Sequence, residues 1–168
     1  MELQEGKDKF IQAWGTLGSQ WGINRTMTQI HALLLVSAEP LSADNIMEQL
    51  QISRGNVNMN VRDLMDWGLV HKILKPGERK EFFSAEKDIW KVFKQVVKER
   101  RKRELEPVFN ILSELQQVQG DPQNVEYKAF TESIEGIRKI ASRADSTLDT
   151  LLKADENWFM GTLLKMMK

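Results

Sequence analysis

Cysteine is absent from this chain of 168 residues, and only two histidines are present. The lack of thiols excludes disulfides, iron–sulfur clusters and zinc sites built from cysteine, and two histidines are too few for a histidine-built metal site. No apolar run approaches the roughly 20 residues that span a membrane. Residues 1–10 carry charges where a signal peptide needs an apolar stretch. We therefore expect a soluble cytoplasmic protein without metal or cofactor.

The chain has no net charge at pH 7, because its 24 basic residues balance its 24 acidic ones. This balance alone argues weakly against a nucleic-acid partner, but the charge is unevenly distributed. Residues 87–103 contain eight Lys or Arg and two acids, whereas residues 104–168 contain seven and eleven. A local basic zone attracts phosphates even in a neutral protein. The run 98–103 therefore either contacts phosphates or forms the solvated face of a helix.

Few prolines interrupt the apolar periodicity, which predicts a mainly α-helical fold. Apolar residues spaced by three, four and seven indicate a helix over 3–21. A second helix is predicted with Thr26 as its cap and Pro40 as its stop. Ser42 opens a short third helix, with an incomplete capping box because Asn45 stands where Glu is usual.

A winged helix-turn-helix is predicted from the order of elements within residues 26–84. A tight turn at Gln51-Ile52 separates the short third helix from a fourth helix, 53–67. The runs 69–74 and 81–84 flank a Pro-Gly turn and predict a two-stranded hairpin. In this arrangement the fourth helix enters the major groove of DNA and the hairpin flanks it as a wing.

The outward face of the fourth helix carries the chemistry of base recognition. Asparagine pairs with the edge of adenine, arginine pairs with guanine or phosphate, and methionine can contact a thymine methyl. Asparagines near a helix start also occur for capping alone, which is the alternative interpretation. The residues expected to contact DNA from this helix are Ser53, Arg54, Gly55, Asn56, Asn58, Met59 and Arg62.

The tip of the hairpin, residues 75–81, supplies a second expected contact through Arg79 and Lys80. An arginine at this position can enter a minor groove, where A·T-rich DNA concentrates negative potential. The alternative is a merely solvated turn, and Glu78 and Glu81 weaken the electrostatic case.

After residue 85 the chain is predicted to be helical, with Pro107 kinking or restarting a long helix and Asp121 capping the next one. An apolar seam of alternating three- and four-residue spacings runs over 127–151, as in a coiled coil. A last short helix is expected from Asp155, carrying Trp158, Phe159, Leu163, Leu164, Met166 and Met167.

Two recognition helices related by a two-fold axis are needed to read two half-sites. The apolar stripes at 3–21 and 127–151 and the tail 158–167 are candidate dimer interfaces, although each stripe could instead pack inside its own subunit. We expect residues 1–22 to be a dimer-forming helix, 23–86 the DNA-binding domain, and 87–168 a helical dimerisation and regulatory region. The expected dimer residues are Phe10, Trp14, Leu17, Phe130, Ile134, Ile137, Leu148 and Leu151.

Residues 22–106 resemble the GbsR subfamily of MarR-type winged-helix transcriptional regulators. The resemblance implies a homodimeric DNA-binding regulator with Ser53–Arg62 as recognition helix and Arg79 on the wing. It rests jointly on several segments, which are Gly22-Ile-Asn-Arg-Thr, Gln29-Ile-His-Ala-Leu-Leu, Glu39-Pro-Leu-Ser-Ala-Asp, Gln51-Ile-Ser-Arg-Gly-Asn-Val-Asn-Met-Asn, Trp67-Gly-Leu-Val, Gly77-Glu-Arg-Lys-Glu-Phe-Phe and Arg103-Glu-Leu-Glu-Pro.

The resemblance further implies a repressor that responds to a small molecule, with a choline-like compound as the candidate effector. A quaternary ammonium binds in an aromatic box, for which Trp14, Trp21, Trp67, Trp90 and Tyr127 supply rings, but a core role is the favoured interpretation of each tryptophan. A winged helix that binds proteins instead of DNA is the alternative function. An enzyme is not expected, because no phosphate loop, catalytic triad or metal-ligand spacing is present, and His31 sits among apolar residues at the edge of the core.

Overall fold

Helices dominate the computed structural model, which describes residues 1–156 and residue 161. The described chain divides into two compact units, with the boundary between Val92 and Phe93. The expected last helix, with Trp158 and its apolar neighbours, lies outside the described residues. The elements of the first unit are α1 (Leu3–Gln20), α2 (Arg25–Val36), β1 (Leu41–Ser42), α3 (Ala43–Leu50), α4 (Arg54–Asp66), β2 (Val70–Ile73), β3 (Phe82–Ala85) and the start of α5 (Ile89–Arg100).

Helix α2 is the centre of the first unit, because α1, α3, α4 and β3 all pack against it. Its apolar residues are almost fully buried, with Ile30 at 0% and Leu34 at 1% exposure. Helix α1 approaches α2 through small residues. A Cβ added to Gly18 would lie 2.3 Å from Cγ2 of Thr28, so glycine is required for this close approach.

The starts of α2 and α3 differ from the sequence predictions, α2 in the residue that caps it and α3 in its capping box. Asn24, not Thr26, caps α2, because its side-chain oxygen accepts a hydrogen bond from the Met27 backbone nitrogen. Ser42 caps α3 as predicted, but the capping box is complete. The Asn45 amide oxygen accepts from the Ser42 backbone nitrogen at 3.1 Å, the role that Glu usually fills.

Helix α2 ends at Val36, four residues before the predicted stop at Pro40. The ammonium group of Lys87 donates to the carbonyl oxygens of Leu34, Leu35 and Ser37 at 2.7, 2.7 and 2.8 Å. These carbonyls lie at the negative end of the helix, where a cation compensates groups that lack helical partners. A residue 50 positions away along the sequence therefore satisfies the end of this helix.

The predicted hairpin is present as part of a larger sheet. Strands β2 and β3 pair antiparallel, with Val70 opposite Ala85, and Gly77 in the connecting turn has a φ of +81°. Strand β1 adds to the other edge of β3, so the sheet has three strands in the order β1-β3-β2. The prediction of two strands was incomplete, because the two residues of β1 are too short to give a periodic signal.

The second unit contains the rest of α5, a π-helical turn (Arg101–Leu105), α6 (Glu106–Leu115) and α7 (Val125–Lys153). The π-helical turn lies directly before Pro107, where we predicted a kink. Proline lacks the backbone donor and crowds the preceding turn, and both proline and a single π-helical turn within a helix are recognised causes of helix kinks. Asn124, rather than Asp121, caps α7 by accepting from the Glu126 and Tyr127 backbone nitrogens.

Helix α7 spans 29 residues, none of which is buried. Its apolar seam packs partly on α6 and on the π-helical turn. Ile137 nevertheless remains 51% exposed, and Ile140 is 71% exposed. The seam is therefore only partly covered by the described residues of its own chain.

His31 is a buried titratable residue of the first unit, with 3% exposure. Its Nδ1 accepts a hydrogen bond from the Trp14 indole nitrogen at 3.3 Å, so the proton of the neutral ring lies on Nε2, which is buried without a hydrogen-bond partner among the described residues. Burial, followed by the charge of Lys87, lowers the pKa of His31 from 6.5 to about 4. This environment fits the predicted core role.

We expect the stability of the protein to fall as the pH drops from neutral. Between the unfolded pKa of 6.5 and the folded pKa of about 4, the unfolded chain binds a proton at His31 that the folded chain does not. The free energy of unfolding therefore decreases by about 1 kcal/mol from roughly pH 7.5 to roughly pH 5.5, and by about 3 kcal/mol once the shift is fully expressed. Urea unfolding followed by circular dichroism at both pH values measures this loss.

The variant His31→Asn is the control, because it removes the titrating ring and keeps a side-chain oxygen that can accept from Trp14. Its stability should depend on pH less steeply than that of the wild type, by the same ~1 kcal/mol over this interval. Equal pH dependence in the two proteins would contradict the role given to His31.

Candidate nucleic-acid interface

Helix α4 starts with a turn that the local sequence favours. Gln51 adopts the left-handed conformation with a φ of +53°, which ends α3 abruptly. Ser53 then caps α4 by accepting from the Asn56 backbone nitrogen at 3.3 Å. The side of α4 that packs on the unit consists of Val57, Asn60, Val61 and Leu64, all at 2% exposure or less.

The opposite side of α4 is exposed to solvent. Asn60 is the exception among the asparagines, because it is buried and donates to the Asn56 carbonyl at 2.8 Å. Met59, the apolar residue on this side, is 54% exposed. All seven residues that the sequence assigned to DNA contact are exposed, namely Ser53, Arg54, Gly55, Asn56, Asn58, Met59 and Arg62.

The β2–β3 hairpin carries several cations on its strands and in its turn, and most of them have intramolecular contacts. Lys72 forms an ion pair with Glu81 across the two strands. The Lys75 ammonium lies 4.4 Å from the centre of the Phe82 ring. Arg79 and Lys80 are both exposed, and of these two only Lys80 forms an ion pair among the described residues.

Asp44 lies in the first turn of α3 and connects the β2–β3 turn to α4 through two ion pairs. Its carboxylate forms an ion pair with Arg54 and another with Lys80, whose Nζ lies 3.1 Å from Oδ2. The hydrogen bond from Lys80 and then the charge of Arg54 hold the pKa of Asp44 below its usual value. Sequence reasoning missed Asp44, because its partners lie 10 and 36 positions away and no local pattern marks the pairing.

The basic run 98–103 is largely paired within the second unit. Arg101 forms two hydrogen bonds with Asp145, at 2.6 and 2.9 Å, which raise the pKa of Arg101 and lower that of Asp145. Arg100 pairs with Glu104 at 2.7 Å, and Arg103 with Glu99 at 3.8 Å. Of the two interpretations that the sequence left open, phosphate contact and the solvated face of a helix, these contacts favour the helix face, with three of its arginines paired within the unit.

The residues predicted to form a dimer interface lie in both units. On α1, Phe10 and Trp14 are half-buried with ring centres 5.3 Å apart, whereas Leu17 is 38% exposed. The side of α1 that packs on α2 is instead formed by Ile11, Gly15 and Gly18. On α7, Ile137 is exposed and the remaining predicted residues are half-buried, namely Phe130, Ile134, Leu148 and Leu151.

The candidate site consists of the exposed polar side chains on α4 and beside the β2–β3 turn. No group of three or more His, Asp or Glu in residues 1–156 is arranged to hold a metal ion. Within the same range, every helix is too short or too polar to cross a membrane.

Comparison with known proteins gives matches that overlap this site. The sequence model of the MarR family matches residues 21–81, from the end of α1 to the start of β3. The HTH-type transcriptional repressor GbsR of Bacillus subtilis is 27% identical over 114 residues, covering 68% of this chain and 63% of that protein. A putative HTH-type regulator of the same organism, YvaV, is 20% identical over 91 residues, covering 54% of this chain and 51% of that protein.

The chain thus spans between about half and two-thirds of the length of these curated relatives. A crystal structure described as that of a transcriptional regulator aligns with a TM-score of 0.67 at 15% identity, covering 88% of this chain and 95% of the other. At this identity the alignment shows a shared fold. With the family match placed on the helix-turn-helix and its sheet, the resemblance noted in the sequence is confirmed: residues 21–81 match the MarR family, and the chain is similar to the HTH-type repressor GbsR.

Proposed function

We propose that this protein is a homodimeric, sequence-specific DNA-binding regulator that represses transcription and responds to a small molecule. Helix α4, within the segment 53–67, enters the major groove. The wing, residues 75–81, contacts the adjacent minor groove through Arg79. Residues 23–86 bind DNA, while residues 1–22 and 87–168 form the dimer and its regulatory region.

The exposed polar side of α4 carries this proposal. Buried Val57, Val61 and Leu64 orient the helix so that Asn56, Asn58 and Arg62 face solvent. A helix face that contacts only water does not require asparagine and arginine in particular. Amide and guanidinium groups are, however, the groups that read adenine and guanine edges by paired hydrogen bonds. GbsR, which is similar to this chain, is described as an HTH-type repressor.

A homodimer is supported by apolar surface that the described part of the chain does not cover. Helix α7 has no buried residue over 29 positions, and its seam leaves Ile137 half in solvent. Exposed apolar patches of this kind mark interaction sites in soluble proteins. We therefore propose that α7 contributes to the dimer interface, together with the exposed apolar side of α1.

Several aromatic rings that could bind a quaternary ammonium effector have contacts within the fold. Trp14 donates to His31, Trp67 is 5% exposed, and Tyr127 donates to the Val118 carbonyl at 3.3 Å. These three rings thus have contacts within the fold. The core role predicted for the tryptophans is wrong for Trp21, which is 52% exposed because it follows the end of α1. A choline-like effector remains a prediction, which isothermal titration of the purified protein with choline tests directly.

Selection from a random duplex pool, followed by fluorescence anisotropy at several salt concentrations, tests the DNA-binding function. We expect an enriched palindrome with half-sites about one helical turn, ~34 Å, apart. The logarithm of the affinity should fall linearly with the logarithm of salt concentration, because phosphate contacts release counterions. Failure to enrich any sequence would contradict the proposal and favour the winged-helix module that binds proteins.

A further inference from the structure

Two of the cations on the proposed DNA-binding surface have an intramolecular partner, and it is the same residue. Asp44 pairs with Arg54 at the start of α4 and with Lys80 beside the wing. Arg62 and Arg79 form no ion pair among residues 1–156. The proposed DNA-binding surface therefore has two cations that are paired with a carboxylate, Arg54 and Lys80, and two that are not paired with one among the described residues, Arg62 and Arg79.

A carboxylate and a phosphate compete for the same donors, because both accept charge-assisted hydrogen bonds from guanidinium and ammonium groups. All three paired side chains are solvent-accessible, with 41% exposure for Asp44, 63% for Arg54 and 62% for Lys80. A DNA phosphate that binds the donors facing Asp44 must therefore replace its carboxylate. The displaced carboxylate would then lie close to a negatively charged backbone.

We propose that Asp44 is an intramolecular competitor of DNA phosphates, which weakens the sequence-independent part of binding by occupying Arg54 and Lys80. This inference rests on the DNA-binding function proposed above. Asp44 acts through the two cations and is a positioning residue, not a contact to DNA. Its effect falls on phosphate contacts, which supply essentially all of the affinity for non-specific DNA, and leaves the base contacts of Arg62 and the exposed asparagines unchanged.

The test compares the salt dependence of binding for Asp44→Asn and the matched variant Glu48→Gln. Glu48 is an exposed acid one turn further along α3 and forms no ion pair among the described residues, so both variants remove one negative charge from the same helix. For Asp44→Asn we expect the slope of log affinity against log salt to steepen by about 1 to 2 per protomer, at about 0.9 for each additional phosphate that the protein neutralises. Affinity for a random duplex should rise roughly tenfold at low salt for each such phosphate.

A double-variant cycle separates competition from a general charge effect. In a chain that already carries Arg54→Gln and Lys80→Gln, Asp44→Asn should not steepen the slope further. An equal steepening in that background, a slope no different from that of Glu48→Gln, or weaker binding by Asp44→Asn would each overturn the inference while leaving DNA binding intact. A wild-type protein without salt-dependent duplex binding would overturn both this inference and the proposed function.

Discussion

Replacing Asn56, Asn58 and Arg62 together by alanine is expected to remove the preference of the protein for its selected duplex over a scrambled one. Each side chain is exposed on α4, and each can make a paired hydrogen bond to a base edge. Three such contacts at about 1 kcal/mol each correspond to roughly 100-fold in affinity, and the upper end of the range is larger. Competition anisotropy with both duplexes measures the ratio. Arg54 is left in place, because its removal would also change the ion pairs of Asp44, which would then have Lys80 as its one remaining partner among the described residues.

Residual, salt-dependent binding to both duplexes should remain in this triple variant, since the phosphate contacts are not removed. The variant should unfold at nearly the wild-type temperature, because none of the three side chains packs in the core. Arg138→Ala, which removes an equal charge from an exposed position of α7, is the matched control and should keep the wild-type preference. An unchanged preference in the triple variant would refute α4 as the recognition element.

The substitution Ile137→Glu is expected to convert the proposed dimer into monomers. Ile137 lies on the apolar seam of α7 and is 51% exposed in the single chain. A dimer formed through this seam would bury the new carboxylate without a partner, which is strongly unfavourable. Sedimentation velocity at micromolar concentration measures the association state. Affinity for the selected duplex should fall by about 100-fold or more, because two linked half-site contacts become independent.

Ser146→Glu is the matched control, because it adds one negative charge to an exposed position on the opposite side of the same helix. It should remain dimeric and bind DNA as the wild type does. The Ile137→Glu chain should keep its helical circular-dichroism signal, since glutamate favours helix and the position is half in solvent. A dimer that persists in Ile137→Glu would exclude this part of α7 from the interface and would point to α1 instead.

Much of the proposed DNA-binding face could be predicted from the sequence, because it depends on local periodicity. With Val57 directed inward, the helical repeat of about 100° per residue determines which side chains of α4 face solvent. The caps at Ser42 and Ser53 and the turn at Gly77 were likewise predictable from short-range chemistry. Where a side-chain cap was misassigned, the correct residue was an asparagine two or three positions away: Asn24 instead of Thr26, and Asn124 instead of Asp121.

The remaining features of the site depend on residues that are distant in sequence. Strand β1 forms because β3 provides a free edge. Lys87 donates to carbonyl groups at the end of α2, although it lies 50 positions further along the chain. Asp44 on α3 forms ion pairs with residues of α4 and of the wing. Such long-range contacts leave no periodic trace, since each depends on how separate elements are arranged in three dimensions. The same limit applied to Arg101, whose partners on α7, Asp145 and Asp149, only the tertiary structure identifies.

By itself, the sequence determined the helical character of the chain, the helix-turn-helix with its hairpin, and the exposed asparagines and arginines of α4. Helical repeats and turn residues encode these features within a few positions. Only the tertiary structure decided which cations of the proposed DNA-binding surface are paired, because ion pairing requires side chains to meet in space. The tertiary structure also decided which apolar residues remain exposed, because burial depends on how the chain packs. None of the residues of α7 is buried by the described part of the chain.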